Sequence, residues 1–225
     1  MPSFQSLRLE VWKANIGLPK AGLVTMHSGN ASGVHRESGL MLIKPSGIDY
    51  DALRPEDLAV VRLADGSRPE ASEVPDGIVA AMKPSVDTVH HRLLYLKDTA
   101  LGGVIHTHSN YATAWAAVGQ SIPCALTAIA DEFGAEIPCT PYIDNEGENI
   151  ANAIFQYRGR GPAILLGQHG VFTFDKTPGK AFKAAVMVED VAKTLLLARS
   201  LGPIAAFPSA EIEKWWGRYH STYGQ

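Results

Sequence analysis

The chain has 225 residues, of which 46% are hydrophobic and 19% charged, and its formal net charge is −3 at pH 7. That is apolar material for one sizeable core and too little charge for a disordered chain. The small negative balance excludes a general binder of nucleic-acid backbones, because no basic stripe exists to release counterions; an anionic ligand must be held by a few placed donors.

In chain order, residues 3–17 are predicted helical, with Leu7, Val11, Ala14 and Leu18 near a 3.6-residue period. Gly22 opens a predicted strand, Leu23–Met26, which runs into the polar stretch Ser28-Gly29-Asn30-Ala31-Ser32. After the Arg36–Gly39 turn, Leu40–Ile43 returns as a strand into Lys44-Pro45-Ser46-Gly47, making an antiparallel hairpin. Arg54 to Leu58 reads as a helical turn, Ala59–Leu63 as a strand, and 66–84 as an exposed loop. Ser85 is expected to cap a helix to about Leu96, followed by a strand through Gly102–His108 and a helix capped by Ser109. Further strands are expected at 122–128 and 135–140 and a helix at about 148–158. Ile164–Phe172 is a buried-looking strand that breaks at His169; Thr177-Pro178 starts a helix to about Leu201, and a last helix covers about 209–220. No repeat or linker divides residues 1–225, so one α/β domain is expected, with a mainly antiparallel sheet between helix layers. Cys124 and Cys139 form no disulfide framework, and neither a signal peptide nor a membrane-length apolar run is present, so a cytoplasmic protein is expected.

His106 and His108 lie two residues apart on a strand and therefore leave the same face. An isolated His-x-His is more often two hydrogen-bonded surface residues than a ligand pair. A third histidine, His169, changes that balance, since three histidines on two strands with an open fourth position make a catalytic zinc site. The Ser28–Ser32 and Lys44–Gly47 turns offer hydroxyls, backbone N–H groups and a lysine suited to phosphate, and Lys83-Pro84-Ser85 adds donors at a helix start. Each of these turns taken alone is more simply a turn. Asp87 in the first helical turn could equally be a dipole-matched carboxylate. Asp131-Glu132 is an acidic pair between two predicted strands, and Tyr223 lies in a tail with no local argument for function.

Ser-Gly-Asn, Lys-Pro-Ser-Gly, Lys-Pro-Ser-Val-Asp-Thr, His-Thr-His-Ser, Ile-Pro-Cys-Thr, Gln-His-Gly and a terminal Tyr-Gly-Gln occur here in that order. Together they resemble the L-ribulose-5-phosphate 4-epimerases within the wider class II aldolase group, over nearly the whole chain. The resemblance implies a three-layer α/β/α domain, bound zinc (with manganese or cobalt as alternatives) and a homotetramer whose active sites are shared between subunits. It implies metal ligation by His106, His108 and His169, with Asp87 at the metal, and a phosphate site at Gly29, Asn30, Ser46, Gly47, Ser85 and Val86 beside Lys44. It further implies acid–base roles for Asp131 and Tyr223, the latter reaching the neighbouring subunit's site, and a contribution from Thr127 near that interface. Val86 stands where these epimerases often have serine, the segment after Tyr142 is short, and the 66–82 loop is long. The implied reaction is inversion at carbon 4 of L-ribulose 5-phosphate to give D-xylulose 5-phosphate. A class II aldolase acting on fuculose or rhamnulose 1-phosphate is the nearest rival, though those enzymes tend to carry glutamate at the position of Asp87. A non-catalytic adducin-like module is the remote one, because it lacks the histidines.

Overall fold

The protein's structure, a computed structural model, describes residues 3–222. Helix α1 (Phe4–Lys20) starts at Ser3, whose hydroxyl accepts the Ser6 N–H, and buries Leu7, Val11, Ala14 and Leu18 as the periodicity requires. Strands β1 (Asn30–His35), β2 (Leu40–Ile43) and β3 (Ala59–Arg62) form an antiparallel meander. Helix α2 (Thr88–Lys97) leads into strand β4 (Gly103–Thr107), which pairs antiparallel with β1 rather than with its neighbours in sequence. Helices α3 (Asn110–Ala117) and α4 (Thr127–Phe133) precede strand β5 (Cys139–Tyr142) and helix α5 (Asn149–Tyr157). Strands β6 (Ala163–Gly167) and β7 (Gly170–Asp175) form a tight hairpin, and helices α6 (Pro178–Arg199) and α7 (Ser209–Ser221) complete the chain.

The seven strands form one sheet in the order β3-β2-β1-β4-β7-β6-β5. Its pairs are antiparallel except β5–β6, so the sheet is mixed. Strand alternation separates the two cores. Val104, Phe172 and Phe174 pack with Leu94 and Tyr95 of α2 and Ile150 and Ile154 of α5. Ile105 and Ala31 face the other way, onto Ala14 and Leu18 of α1 and Ala181 and Ala185 of α6. The result is the expected three-layer α/β/α arrangement. Gly103 is required by it: a Cβ there would come within 2.4 Å of the Pro178 nitrogen, where the start of α6 crosses β4.

Several expected elements differ. Leu23–Met26 is not a strand. Its apolar residues do not share a face, because Leu23 is buried while Met26 is 77% exposed and takes the left-handed conformation (φ 53). The strand instead begins at Asn30, where the small residues of Asn-Ala-Ser-Gly let α1 approach. The expected 122–128 strand is reduced to a single bridge, Ile122 to Ile137, and residues 127–133 are helix α4, ended by Gly134 in the left-handed region (φ 63). Asp131-Glu132 therefore sits on a helix, not between strands, and the strand expected at 135–140 lies at Cys139–Tyr142. Short alanine-rich apolar runs satisfy either period, and the buried Ile129, Ala130 and Phe133 decide for the helix here.

Two capping expectations also shift. The helix expected to be capped by Ser85 begins at Thr88 with Asp87 as the N-cap residue, and Ser85 precedes it, accepting the Asp87 N–H at 3.3 Å. Ser109 occupies the N-cap position of α3, but its buried hydroxyl has no partner. The cap comes from tertiary structure: the Glu189 carboxylate on α6 accepts the N–H groups of Tyr111 at 3.0 Å and Ala112 at 2.9 Å. The aromatic face of α7 is used within the chain. Arg160 lies over the Trp216 ring, and Tyr219 donates to Glu132 on α4.

These caps predict a contrast in equilibrium unfolding. Glu189→Ala should cost about 1–2 kcal/mol, the range for loss of a helix cap, whereas Ser109→Ala should stay within about 0.5 kcal/mol of the parent because it removes an unsatisfied hydroxyl. Urea melts followed by circular dichroism test the order; a larger loss from Ser109→Ala would refute it.

Candidate metal centre and anion pocket

The histidines meet because β4 and β7 are adjacent. His106 lies opposite Phe172 in the antiparallel register, and its ring stacks on that phenyl with centroids 4.5 Å apart. His108 follows just beyond the end of β4, and His169 sits in the β6–β7 turn, after Gln168 in the left-handed conformation (φ 59). The possible ligand atoms of His106, His108 and His169 all lie within 4.8 Å of one another. Gly170 makes this approach possible, since a Cβ there would come within 2.6 Å of the His108 ring and 3.3 Å of the His106 ring.

The donor chemistry fits a divalent ion of the zinc type. His106 Nδ1 lies 2.9 Å from the Val171 carbonyl; in a neutral ring Nδ1 carries the proton to donate there, leaving Nε2 as the ligand atom. Burial pushes the His106 imidazole down to about 4. Burial, reinforced by repulsion from His169, lowers His108, and burial lowers His169. All three are thus neutral near pH 7, the form that binds a metal. Asp87 lines the same cleft, but its carboxylate falls outside the group of mutually close ligand atoms. Asn30 Nδ2 donates to Asp87 Oδ2 at 2.7 Å and to Ser85 Oγ at 3.1 Å. Burial opposes ionisation of Asp87, but charge interactions with His106 and His91, together with the Asn30 hydrogen bond, outweigh it and hold the carboxyl below its usual value.

A cavity of about 270 Å³ joins this centre to the turns singled out in the sequence, being lined by Gly29, Asn30, Lys44, Ser46, Ser85 and Val86 among others. Gly47 lies next to the lining, in the left-handed region (φ 72). Lys44 is only 2% exposed. Its ammonium donates to the His27 carbonyl at 3.3 Å and lies 4.6 Å from the Tyr50 ring centroid, and burial lowers its pKa. Among the described residues no carboxylate forms an ion pair with it. The charge of Asp49 offsets that burial only in part, and an anion in the cavity would offset more of it.

The backbone donors are arranged differently from the sequence expectation. The Ser46 N–H donates to the Lys83 carbonyl at 2.9 Å, and the Ser85 N–H donates to the Lys44 carbonyl at 3.2 Å. The two turns are thus zipped together, and Ser46 and Ser85 have their hydroxyls left to offer a ligand. Val86 is 74% exposed at the rim.

Thr127 and Asp131 do not line this cavity. Thr127 is exposed at the start of α4; Asp131 is half-buried on the same helix, where burial raises its pKa against the opposing charge of Arg218. Tyr223 lies outside the described residues. His27 and Asn145 also line the cleft and were not singled out from sequence. His27 directly precedes the Ser-Gly-Asn turn, which could have marked it, whereas nothing local marks Asn145. A larger cavity of about 610 Å³ lies away from these residues, and three of its cations, Arg158, Arg160 and Lys183, are already paired with Asp98, Glu213 and Glu132.

Stability of the metal-free protein should depend on pH in a defined direction. His106 titrates near pH 4 when folded but near the ordinary value of about 6.5 when unfolded. Between those values the unfolded chain binds more protons, so stability is flat above pH 7 and falls as pH drops from 6.5 toward 4. Each such buried histidine contributes a slope of up to about 1.4 kcal/mol per pH unit. Denaturant melts of chelator-treated protein from pH 8 to 5 test this, and a pH-independent midpoint would refute it.

Comparison with known proteins identifies the family and the fold. Residues 9–196 match the family described as Class II Aldolase and Adducin N-terminal domain. A solved L-fuculose 1-phosphate aldolase is 26% identical, with a TM-score of 0.83 and coverage of 98% of each chain. The L-fuculose-1-phosphate aldolase of Thermus thermophilus is 25% identical, with a TM-score of 0.67, over 87% of this chain and 96% of that one. YgbL from Klebsiella pneumoniae is 24% identical, with a TM-score of 0.79 over 96% and 100% of the two chains, and shares the fold. With 188 consecutive residues matched and the three-histidine cluster inside that span, the chain belongs to the class II aldolase and adducin N-terminal domain family.

Proposed function

We propose that this chain is a divalent-metal-dependent enzyme that breaks and re-forms a carbon–carbon bond in a ketose phosphate, and that its reaction is the interconversion of L-ribulose 5-phosphate and D-xylulose 5-phosphate. The observation that carries this reading is one cleft holding both the three neutral histidines and the buried ammonium of Lys44. The first set suits a metal, and the second suits a phosphate.

In this reading the phosphate rests on Lys44 and on the Ser46 and Ser85 hydroxyls, with the sugar directed toward His106, His108 and His169. An ion bound there supplies Lewis acidity to the ketone. When the bond between carbons 3 and 4 breaks, its electron pair moves toward the carbonyl. The carbon 4 hydroxyl loses its proton and becomes an aldehyde. Anchored by its phosphate, the aldehyde fragment turns and is attacked on its other face; return of the proton completes the inversion. Asp131 and Tyr223 are the groups assigned to carry that proton in the two directions. Because Asp131 lies outside this chain's cleft, the assignment requires that a second copy supply it, in keeping with the expected homotetramer.

A second reading, cleavage of a ketose 1-phosphate, is favoured by the end-to-end likeness to L-fuculose 1-phosphate aldolase. Against it, the short carboxylate of Asp87 is tied back by Asn30, which makes it a poor base at the metal. Incubating the zinc-loaded protein with L-ribulose 5-phosphate and, separately, with L-fuculose 1-phosphate separates the two. The first reading requires D-xylulose 5-phosphate without release of free aldehyde; dihydroxyacetone phosphate and an aldehyde from the second substrate would replace it.

Lys44→Met should raise KM about 10–100-fold, the equivalent of one charge-assisted hydrogen bond, with a much smaller effect on kcat. An unchanged KM with a collapsed kcat would move Lys44 from anchoring to chemistry. His106→Ala and Asp131→Asn proteins should each be nearly inactive, yet gain activity when unfolded together and reassembled. If subunit exchange is verified and no gain appears, Asp131 does not complete a neighbour's site.

A further inference from the structure

Behind the metal centre lies a buried polar chain that the proposed reaction does not use. Ser32 Oγ sits 2.7 Å from His91 Nδ1 and 2.8 Å from the Tyr95 hydroxyl. Ser32, His91 and Tyr95 are all fully buried, each at 0% exposure. The other ring nitrogen of His91, Nε2, has no hydrogen-bond partner. A buried, unpaired imidazole nitrogen costs free energy that a hydrocarbon side chain would avoid.

The direction of the chain depends on which acceptor takes the Ser32 proton. That hydroxyl has three candidates, His91 Nδ1 at 2.7 Å, the Tyr95 hydroxyl at 2.8 Å and the Val104 carbonyl at 3.4 Å. With Ser32 donating along its shortest contact, to His91, Tyr95 donates to Ser32 Oγ. His91 Nδ1 is then an acceptor. A neutral His91 ring that accepts at Nδ1 carries its one N–H on Nε2. His91 lies one helical turn after Asp87, and its backbone N–H donates to the Asp87 carbonyl at 3.1 Å. Helical side chains lean toward the preceding turn, which directs the His91 ring back toward Asp87. The ring also packs edge-on against Phe172, the residue on which His106 stacks. Asn30 engages Asp87 Oδ2, leaving Oδ1 for a second donor.

We propose that His91 is a positioning residue for this centre: its Nε2–H, aimed by the Tyr95–Ser32 hydroxyl pair, holds the Asp87 carboxylate toward the three histidines. Within the folded chain that donor is unpartnered, so the contact is one that forms when the carboxylate is drawn toward a bound ion. The inference rests on reading His106, His108 and His169 as metal ligands. If His91 were only a spacer between α2 and the sheet, an apolar side chain would serve as well.

The test is the zinc dissociation constant at pH 7.5, measured by competition with a chromophoric chelator on proteins whose folding is checked by thermal melts. His91→Leu should weaken zinc binding about 10–100-fold, the usual effect of losing an outer hydrogen bond to a metal site. His91→Gln, whose amide can reach the Nε2 position, should restore most of that loss, and His91→Asn, which reaches only the Nδ1 position, should not. In an Asp87→Ala background, His91→Leu should change zinc affinity by less than about twofold if it acts through the carboxylate. Wild-type affinity in His91→Leu, equal rescue by Asn, or an undiminished loss in the Asp87→Ala background would each overturn the proposal. Absence of zinc binding by the wild-type protein would overturn both this inference and the metal reading; binding abolished by His106→Ala but unaffected by His91→Leu would overturn the inference alone.

Discussion

The site depends on how the His106 ring is held. The register that places His106 opposite Phe172 supplies a stacking surface, and the Val171 carbonyl beside it takes the Nδ1 proton. Stacking fixes the ring plane, and the hydrogen bond fixes the tautomer, so the remaining lone pair has one direction. His108 and His169 come from the ends of the same strand pair and inherit that geometry. A one-residue slip between β4 and β7 would turn His106 into the α1–α6 layer and disperse the group.

The same layer of the fold accounts for the Lys44 side of the cleft. Asn30 lies opposite His106 in the β1–β4 pairing, which puts the Ser-Gly-Asn turn beside the histidines. The hairpin carries its second strand into Lys44, and the Pro45–Pro84 bridge ties that turn to the one preceding α2. Because the turns bond to each other through backbone N–H groups, an anion meets hydroxyls and a buried ammonium. The electrostatic attraction is therefore local, which suits a chain of net charge −3. Asp98, Glu132 and Glu213 neutralise Arg158, Lys183 and Arg160 elsewhere, so charge alone would not single out the cleft.

Helices α4 and α7 are built around a different principle. Glu132, Lys183 and Tyr219 form a compact polar cluster where α4, α6 and α7 meet, and Arg160 lies between Trp216 and the Gly134 carbonyl. These contacts hold the last helix to its own chain and leave Thr127 and Asp131 on a surface turned away from the cleft. Among the described residues, no helix is long and apolar enough to cross a membrane.

Much of this was readable in the chain before it was folded. The 3.6-residue period marked α1, the Thr177-Pro178 pair marked the start of α6, and α5 and α7 lie within a few residues of where they were expected. His-x-His on a β-branched strand marked the face where the three histidines gather, because strand alternation is a local property. The order of the motifs carried the family. Tertiary structure alone decided the strand order, which puts β1 beside β4 and β4 beside β7, since pairing depends on contacts far apart in sequence. It also placed a helix at residues 127–133, where only 127–128 had been expected as strand, because burial against α6 and α7 overrides an ambiguous apolar run. Glu189 replaces Ser109 as the cap of α3 for the same reason: the better acceptor comes from another helix. The burial of Lys44 and the unpaired nitrogen of His91 belong to this second class. Whether a lysine or histidine is solvated or stranded depends on what packs over it, and no local pattern records that.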